Sequence, residues 1–150
     1  MSAALTLRRY RKADEEAAIE LWRRTWQAAY PELDFTARLD WWRKRWRSEL
    51  VPSAMIVLAE SDGLLTGFIT VDQKTGYLDQ IVVATEHQGR GIADALLAEA
   101  RRLSPTGLDL HVNQDNARAI RFYQKHGFTV TGTDVNPRSG APIYTMSWRP

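Results

Sequence analysis

The stretch from Tyr77 to Leu103 constrains the fold of this chain more than any other part of the sequence. Its first part, Tyr77–Val83, is a short run rich in β-branched residues and predicts a strand. A polar turn (84–87) and the segment Gln88–Ala93 follow, and apolar residues then recur at the spacing of one helix face. These apolar positions are Ile92, Leu96, Leu97, Ala100 and Leu103. The order predicts a strand that turns through a glycine-containing segment into an amphipathic helix.

Two glycines, Gly89 and Gly91, stand just before that helix. Glycine adopts backbone angles that other residues avoid, and its missing Cβ lets a ligand approach the main chain. The first helical turn has N–H groups without partners, and the helix dipole is positive there. The segment therefore predicts either a cradle for phosphate or pyrophosphate, or a tight turn that only satisfies geometry. It lacks the Gly-Lys-Ser/Thr ending of a P-loop and the third glycine of the Rossmann pattern.

Patterns over the rest of the chain predict a single α/β (α+β) domain of 150 residues. The predicted strands are Leu5–Tyr10, Met55–Glu60, Leu64–Val71, Tyr77–Val83, Leu108–Val112, Thr129–Asp134 and Ile143–Trp148. The predicted helices run from an Asp14 cap to before Pro31, from Asp34 to Leu50 with Pro52 closing, from Ile92 to Leu103, and from an Asn116 cap to His126. The crossover helix between Tyr77–Val83 and Leu108–Val112 should make those two strands parallel in a mostly antiparallel sheet.

Composition limits the class of protein. Values of 44% hydrophobic and 25% charged residues are typical of a globular domain. The absence of cysteine excludes disulfides and thiol chemistry, and the three histidines are scattered, which argues against a metal site. No apolar run approaches the roughly 18 residues of a membrane helix, and the first residues do not resemble a signal peptide, so we expect a soluble, cytoplasmic protein. The net charge of +2 suits a polyanionic ligand without requiring nucleic acid.

The segment Gln88–Ala93 resembles the Gln/Arg-x-x-Gly-x-Gly/Ala signature of the GNAT superfamily of acyl-CoA-dependent N-acetyltransferases. Residues 81–86 resemble the strand and loop that precede the signature in that family, and Asn113–Phe128 resembles its second motif. The resemblance covers residues 55–130. Thr85 stands where the family often has Pro, and Ala93 stands where it often has Gly. The resemblance implies a mixed sheet of seven strands with four helices, in which a splayed parallel pair opens a slot for the pantetheine arm.

The resemblance also implies that acetyl-CoA is the acyl donor and that no metal takes part. The predicted cofactor-binding residues are Ile81, Val82, Val83, Gln88, Gly89, Arg90, Gly91, Ile92, Ala93, Asn116 and Ala119. Main-chain groups of Ile81 and Val83 would bind pantetheine, while their side chains serve the core. The amides of Gln88–Ala93 would hold the pyrophosphate. A backbone N–H within 81–83 could also polarise the thioester carbonyl.

Tyr123 is the principal catalytic candidate. It lies in the second motif, where the family has a Tyr that donates a proton to the departing CoA thiolate. A phenol with an ordinary pKa near ~10 suits that role, and general acid catalysis contributes about 10²–10⁴-fold. The alternative is a core aromatic that packs with Ala119 and Ile120.

Two carboxylates are candidates for accepting the proton of the amine. Asp79 lies two residues before Ile81 and is expected on the same strand face, as a base or as an acid that positions the amine. Its alternative is a hydrogen-bonded polar residue on a half-exposed strand. Glu86 is more simply a solvated acid in the loop.

The acceptor site is predicted from aromatic residues at the end of the first helix. Trp26 and Tyr30 lie there, and aromatic faces attract cationic amines, although such residues more often belong to the core. The polar loop Asn136–Pro142 could close over the acceptor. The cluster Trp41–Arg47 mixes aromatic and basic residues as some nucleic-acid surfaces do. Helical spacing explains it more simply, with Trp42 and Trp46 inward and Arg43, Arg45 and Arg47 as a solvated face.

The sequence thus predicts transfer of acetyl from acetyl-CoA to a primary amine by direct attack in a ternary complex. A small-molecule amine is the favoured acceptor, because the aromatic helix end suggests an enclosed pocket. A protein N-terminus or lysine is the alternative acceptor, and a non-catalytic acyl-CoA sensor and an arginine-rich RNA-binding domain are the other classes considered. No nucleic-acid or membrane partner is expected, and a homodimer is compatible with the resemblance.

Overall fold

Seven strands form one sheet in the order β1-β2-β3-β4-β5-β7-β6. The computed structural model describes residues 5–150. The strands are β1 (Leu5–Arg9), β2 (Met55–Ser61), β3 (Leu64–Asp72), β4 (Tyr77–Val83), β5 (Leu108–Asn113), β6 (Thr129–Val135) and β7 (Pro142–Trp148). The α-helices are α1 (Glu15–Ala29), α2 (Leu39–Arg45), α3 (Val51–Ser53), α4 (Ile92–Leu103) and α5 (Ala117–Lys125). Pro142, predicted in the β6–β7 loop, is instead the first residue of β7, a position that tolerates the missing N–H.

β4 and β5 are the parallel pair at the middle of the sheet, and α4 is the crossover between them. The other neighbouring strands are antiparallel. Within residues 5–150, β4 and β5 pair at one position, Tyr77 with Asp109, and they diverge beyond it. The predicted fold class, a mostly antiparallel sheet with a splayed parallel pair, is confirmed.

Each face of the sheet has its own hydrophobic core. Under α4 and α5, Leu96 packs in one cluster with Ile69 and Leu110. Under α1 and α2, Trp46 packs in a second cluster with Phe68. None of the helices between residues 5 and 150 combines the length and the apolar character that crossing a bilayer demands.

The second predicted helix is longer and less regular than the sequence suggested. A 3₁₀ turn (Thr36–Arg38) leads into α2, and a π-helical turn (Trp46–Leu50) continues it into α3. Pro52 does not close the helix, because it lies in the first turn of α3, where a missing N–H is tolerated.

Asp14 does not cap α1 with its side chain. A 3₁₀ turn (Lys12–Asp14) precedes the helix, so the carboxylate reaches back to the Arg11 N–H at 2.8 Å and to Arg8. The hydrogen bond from Arg8 lowers the pKa of Asp14. By contrast, the predicted Asn116 cap of α5 is present, since its Oδ1 accepts from the Ala119 N–H at 3.2 Å.

Candidate active site

A cavity of about 700 Å³ lies between α1, β4, the N-terminal turn of α4 and one side of α5. It brings together most of the predicted site residues. These are Trp26, Ile81, Val82, Val83, Gln88, Gly89, Gly91, Ala93, Asn116, Ala119 and Tyr123. Arg90 is exposed and Ile92 is buried in the core, and neither side chain lines the cavity. Tyr30 and Asp79 lie outside the lining.

The lining includes residues that the sequence interpretation missed. They are Thr25, Ala28, Ala29, Thr85, Asp94, Arg118, Phe122 and Lys125. Arg118, Phe122 and Lys125 are spaced to share one face of α5, so helical periodicity could have identified them. Thr25 carries no comparable signal, because its role depends on how α1 packs on β4. Its Oγ1 is buried without a hydrogen-bond partner within residues 5–150.

The two glycines adopt the left-handed backbone that the cradle requires. Gly89 has φ of 79° and Gly91 has φ of 82°, and a Cβ built on either would meet open space. Glycine is therefore required at these two positions by the backbone angle and not by a lack of space for a side chain. Gly91 caps α4 without a side-chain hydrogen bond, and the Ala95 N–H donates to the Gly91 carbonyl at 3.0 Å. The N–H groups that precede Ala95 in the first turn have no intrahelical partner, and residues of this turn, Gly91, Ala93 and Asp94, line the cavity.

Charged side chains around this helix end favour a polyanion. Arg118 and Lys125 line the cavity from α5. Asp94, in the first turn of α4, is the opposing charge, and His126 Nε2 lies 2.7 Å from its Oδ1. The glycine-containing start of α4 and the two cations fit a polyanion such as the pyrophosphate of coenzyme A.

Tyr123 lies in the cavity wall with its ring fixed by aromatic neighbours. Its ring centroid is 5.5 Å from those of Phe122 and Phe128. Burial raises the pKa of Tyr123 above its ordinary value. The phenol is therefore protonated at neutral pH and able to donate.

A β-bulge changes the direction of Asp79. Thr70 pairs with Gln80 and Val71 with Leu78, which leaves Asp79 as the extra residue of β4. The buried Thr70 Oγ1 accepts from the Gln80 N–H at 3.0 Å. The prediction that Asp79 shares a face with Ile81 is wrong, because the bulge shifts the alternation by one residue.

Asp79 instead points to the α2 side of the sheet. Arg45 Nη1 lies 3.1 Å from Asp79 Oδ1, and Arg45 Nη2 contacts Oδ2. Burial alone would lower the pKa of Arg45, but the hydrogen bonds and charge of Asp79 raise it. Arg45 was predicted to lie on a solvated face. This prediction is wrong, because its guanidinium turns inward to the Asp79 carboxylate.

The comparison with known families decides what kind of protein this is. The model of the Acetyltransferase (GNAT) family matches residues 15–128, which is most of the chain. The chain belongs to this family. Its relatives include the peptidyl-lysine N-acetyltransferase YjaB of Salmonella typhimurium, 30% identical over 92% of each chain. The peptidyl-lysine N-acetyltransferase YiaC of Escherichia coli is 28% identical over 95% of each chain.

Solved structures share the fold of this GNAT acetyltransferase. The solution structure of apo-form YjaB from Escherichia coli matches with a TM-score of 0.79, at 24% identity over 97% of each chain. The crystal structure of PaiA N-acetyltransferase from Thermoplasma acidophilum in complex with coenzyme A matches with a TM-score of 0.78, at 22% identity over 98% of this chain and 99% of that chain. The predicted enzyme class, an N-acetyltransferase with acetyl-CoA as donor, is confirmed.

The two aromatic residues predicted at the acceptor site lie at the end of α1. The rings of Trp26 and Tyr30 stack with centroids 5.9 Å apart, and Trp26 reaches the cavity. Tyr30 Oη accepts from Asn113 Nδ2 and donates to Asp115 Oδ1, both at 3.0 Å. The hydroxyl thus connects the end of α1 to β5 and the loop that follows it.

The remaining charged candidates of the acetyltransferase are paired. Glu86 is exposed and lies 2.6 Å from Arg24 on α1. In the Trp41–Arg47 cluster, Arg43 and Arg47 pair with α1 carboxylates, Glu16 at 3.0 Å and Glu15 at 2.7 Å. The loop between β6 and β7 contacts the same cluster, since the Arg138 guanidinium lies 3.6 Å from the Trp41 ring centroid. These contacts hold α1, α2 and the loop together.

Proposed function

We propose that this acetyltransferase modifies the ε-amine of lysine in peptides or proteins. The observation that carries this proposal is the likeness, over nearly the full length of both chains, to two proteins named peptidyl-lysine N-acetyltransferases. This is the alternative acceptor class of the sequence interpretation and replaces the small amine favoured there. The stacked rings of Trp26 and Tyr30 support it, because aromatic faces accommodate both the methylene stem and the cationic end of lysine.

On the donor side, we assign binding to main-chain groups of the chain. The N–H groups at the start of α4 would hold the pyrophosphate, with Arg118 and Lys125 adding charge. Because β4 leaves β5 after Tyr77, its main-chain groups on that side are free to bind the pantetheine arm. Acetyl-CoA supplies the acetyl group as a thioester that a neutral amine can attack directly. Tyr123 Oη would then give its proton to the leaving sulfur.

The acceptor class is tested by a panel of amines incubated with acetyl-CoA. The panel contains a lysine peptide with a blocked N-terminus, the same sequence with a free N-terminus and Arg in place of Lys, a polyamine and an aminoglycoside. We expect CoA release with the first peptide to exceed the others at least roughly tenfold, a difference of about 1.4 kcal/mol in transition-state binding. Mass spectrometry should place the acetyl group on the lysine. Preferential acetylation of the polyamine or aminoglycoside would restore the small-molecule alternative.

Gly91→Ala is expected to weaken acetyl-CoA binding roughly tenfold. A left-handed Ala costs about 1–2 kcal/mol, and its methyl group occupies the space through which the ligand approaches the main chain. Gly63→Ala is a matched control, because Gly63 has φ of 78° and also faces open space, in the β2–β3 hairpin.

Both glycine variants should lose a similar free energy of unfolding, measured by urea denaturation. Titration calorimetry should show weaker acetyl-CoA binding for Gly91→Ala alone. Equal affinities in the two variants would contradict the assignment of the pyrophosphate to this helix end.

A further inference from the structure

The start of α4 carries a carboxylate where the proposed pyrophosphate site lies. Asp94 is in the first turn of α4 and lines the cavity, as do the cations Arg118 and Lys125 of α5. It is the one acidic side chain among the cavity-lining residues that the structure describes. When no anion is bound, a carboxylate at this position stabilises the helix, because the dipole is positive there. A pyrophosphate would use the same positive helix end, so the two anions oppose each other.

His126 contacts this carboxylate from the end of α5. Its Nε2 lies 2.7 Å from Asp94 Oδ1, and Nε2–H is the donor because a carboxylate only accepts. The ring packs against Phe122, a residue of the cavity wall, with the ring centroids 4.7 Å apart. The main chain of His126 is fixed as well, since its N–H donates to the Phe122 carbonyl and its own carbonyl accepts from Arg101. The imidazole is therefore held beside Asp94.

The second ring nitrogen of His126 is able to take up a proton. Within residues 5–150, Nδ1 has no hydrogen-bond partner, and 20% of the side chain is exposed. Because the neutral ring donates from Nε2, a further proton binds at Nδ1 without breaking the contact with Asp94. His126 is also the C-cap residue of α5, where the helix dipole favours a positive charge. The pair thus has two states, one in which the Asp94 charge is uncompensated and one in which an imidazolium compensates it.

We propose that binding of the donor pyrophosphate is coupled to protonation of His126, with Asp94 as the link between the two. A neutral imidazole leaves the Asp94 charge to oppose the pyrophosphate, whereas an imidazolium compensates that charge. The bound state therefore holds more protons on average than the unbound state. The affinity for the donor consequently rises as the pH falls through the range near ~6.5 where an imidazole titrates. The inference rests on the proposed assignment of the pyrophosphate to the start of α4, and it does not depend on the acceptor.

The other charged groups around His126 belong to residue types that titrate far from neutrality. α4 presents Asp94 and Arg101, and α5 presents the neighbouring Lys125. β7 presents Trp148, which packs beside Gly127 and does not titrate. Arginine and lysine side chains lose their protons well above neutrality, and aspartate gains one well below it. The imidazole is the side chain in this group that changes charge near neutrality.

The test is titration calorimetry of the whole protein with 3′-dephospho-coenzyme A. This ligand keeps the pyrophosphate and lacks the 3′-phosphate monoester, a group that itself titrates near pH ~6. For the wild-type protein we expect the affinity to rise roughly twofold to fivefold between about pH 8.5 and about pH 5.5, which is the effect of one charge at a helix end. Titrations in two non-phosphate buffers with different heats of ionisation should show uptake of about 0.2–0.4 proton near pH ~6.5.

His126→Gln is the variant that should remove the coupling. Glutamine retains a side-chain N–H for Asp94 but takes up no proton, so the affinity should match the wild-type value at about pH 8.5 and stay constant as the pH falls. His87→Gln and His111→Gln are matched controls, because neither imidazole lines the cavity, and His111 Nδ1 lies 3.0 Å from Tyr77 Oη. Both controls should keep the wild-type affinity profile and proton uptake.

Asp94→Asn tests the link between the imidazole and the ligand. At about pH 8.5 this variant should bind roughly twofold to fivefold more tightly than the wild-type protein, because the opposing charge is gone. Proton uptake that persists in His126→Gln, or that disappears in either control, would overturn the proposal. If His126→Gln does not fold, an NMR titration of the wild-type protein decides. The midpoint of the His126 ring signals should then move to higher pH when the ligand is bound, and an unchanged midpoint would overturn the coupling.

The Gly91→Ala variant separates this inference from the pyrophosphate assignment. Weaker binding by Gly91→Ala, combined with a wild-type affinity that does not change with pH, would refute the proton coupling alone. Unchanged binding by both Gly91→Ala and Asp94→Asn would refute the pyrophosphate assignment and the coupling with it.

Discussion

Tyr123→Phe is expected to lower kcat by about 10²–10⁴-fold while the affinity for acetyl-CoA stays nearly constant. The substitution keeps the ring and its contacts with Phe122 and Phe128, and it removes only the hydroxyl that would protonate the leaving thiolate. Steady-state CoA release gives kcat, and titration calorimetry gives the affinity. Loss of rate with retained binding is the signature of an interaction made only in the transition state.

Tyr144→Phe is the matched control for Tyr123. Tyr144 lies on β7 and packs against the same core, but it does not line the cavity. The kcat of the Tyr144→Phe variant should be close to that of the wild-type enzyme. A Tyr123→Phe variant that retains kcat within about threefold would refute the general-acid assignment, because the expected contribution is at least about 10²-fold.

Trp46→Ala is expected to lower the free energy of unfolding by about 3–5 kcal/mol. Trp46 has no exposed surface, and it begins the π-helical turn that follows α2. Its ring meets Phe68 of β3 edge to face at 5.5 Å, and its Nε1 donates to Tyr10 Oη at 3.1 Å. Alanine would leave a cavity between the helix and the sheet and an unpaired phenol.

Urea denaturation measures this loss, and Trp46→Phe provides the comparison. Phenylalanine keeps most of the buried volume but not the hydrogen-bond donor, so we expect a loss well below that of alanine. A loss under about 1 kcal/mol for Trp46→Ala would show that the π-helical turn repacks around the missing ring.

Most of the fold follows from local pattern. β4 and the start of α4 lie where the spacing of apolar residues along the sequence predicts a strand and a helix. The parallel pairing of β4 and β5 follows from the crossover helix between them. The predictions fail at positions where contacts with a neighbouring segment determine the local structure. Asp14 bonds to Arg8 of β1 and not to its own helix, and Pro52 occurs in a helix that a π turn has already extended.

The glycine-containing turn before α4 could be predicted, because its main-chain geometry depends on the glycine positions. The direction of Asp79 could not be predicted, because it depends on the register of β4 against β3. The extra residue in β4 places the Asp79 side chain on the opposite face of the sheet. There Arg45 turns inward and forms an ion pair with it. Neither the bulge nor the contact of Tyr77 with His111 is visible until β3, β4 and β5 are placed side by side.

The sheet has a junction with little backbone pairing, a weak seam between β4 and β5. Within residues 5–150, strands β1–β4 pair with strands β5–β7 at one backbone position, and side chains beneath α4 and the Tyr30 hydroxyl add further contacts between the two halves. A donor molecule wedged into that seam would contact β4 on one half and α5 on the other. We therefore expect bound donor to restrict motion between the two halves of the sheet, and we expect donor release to restore that motion.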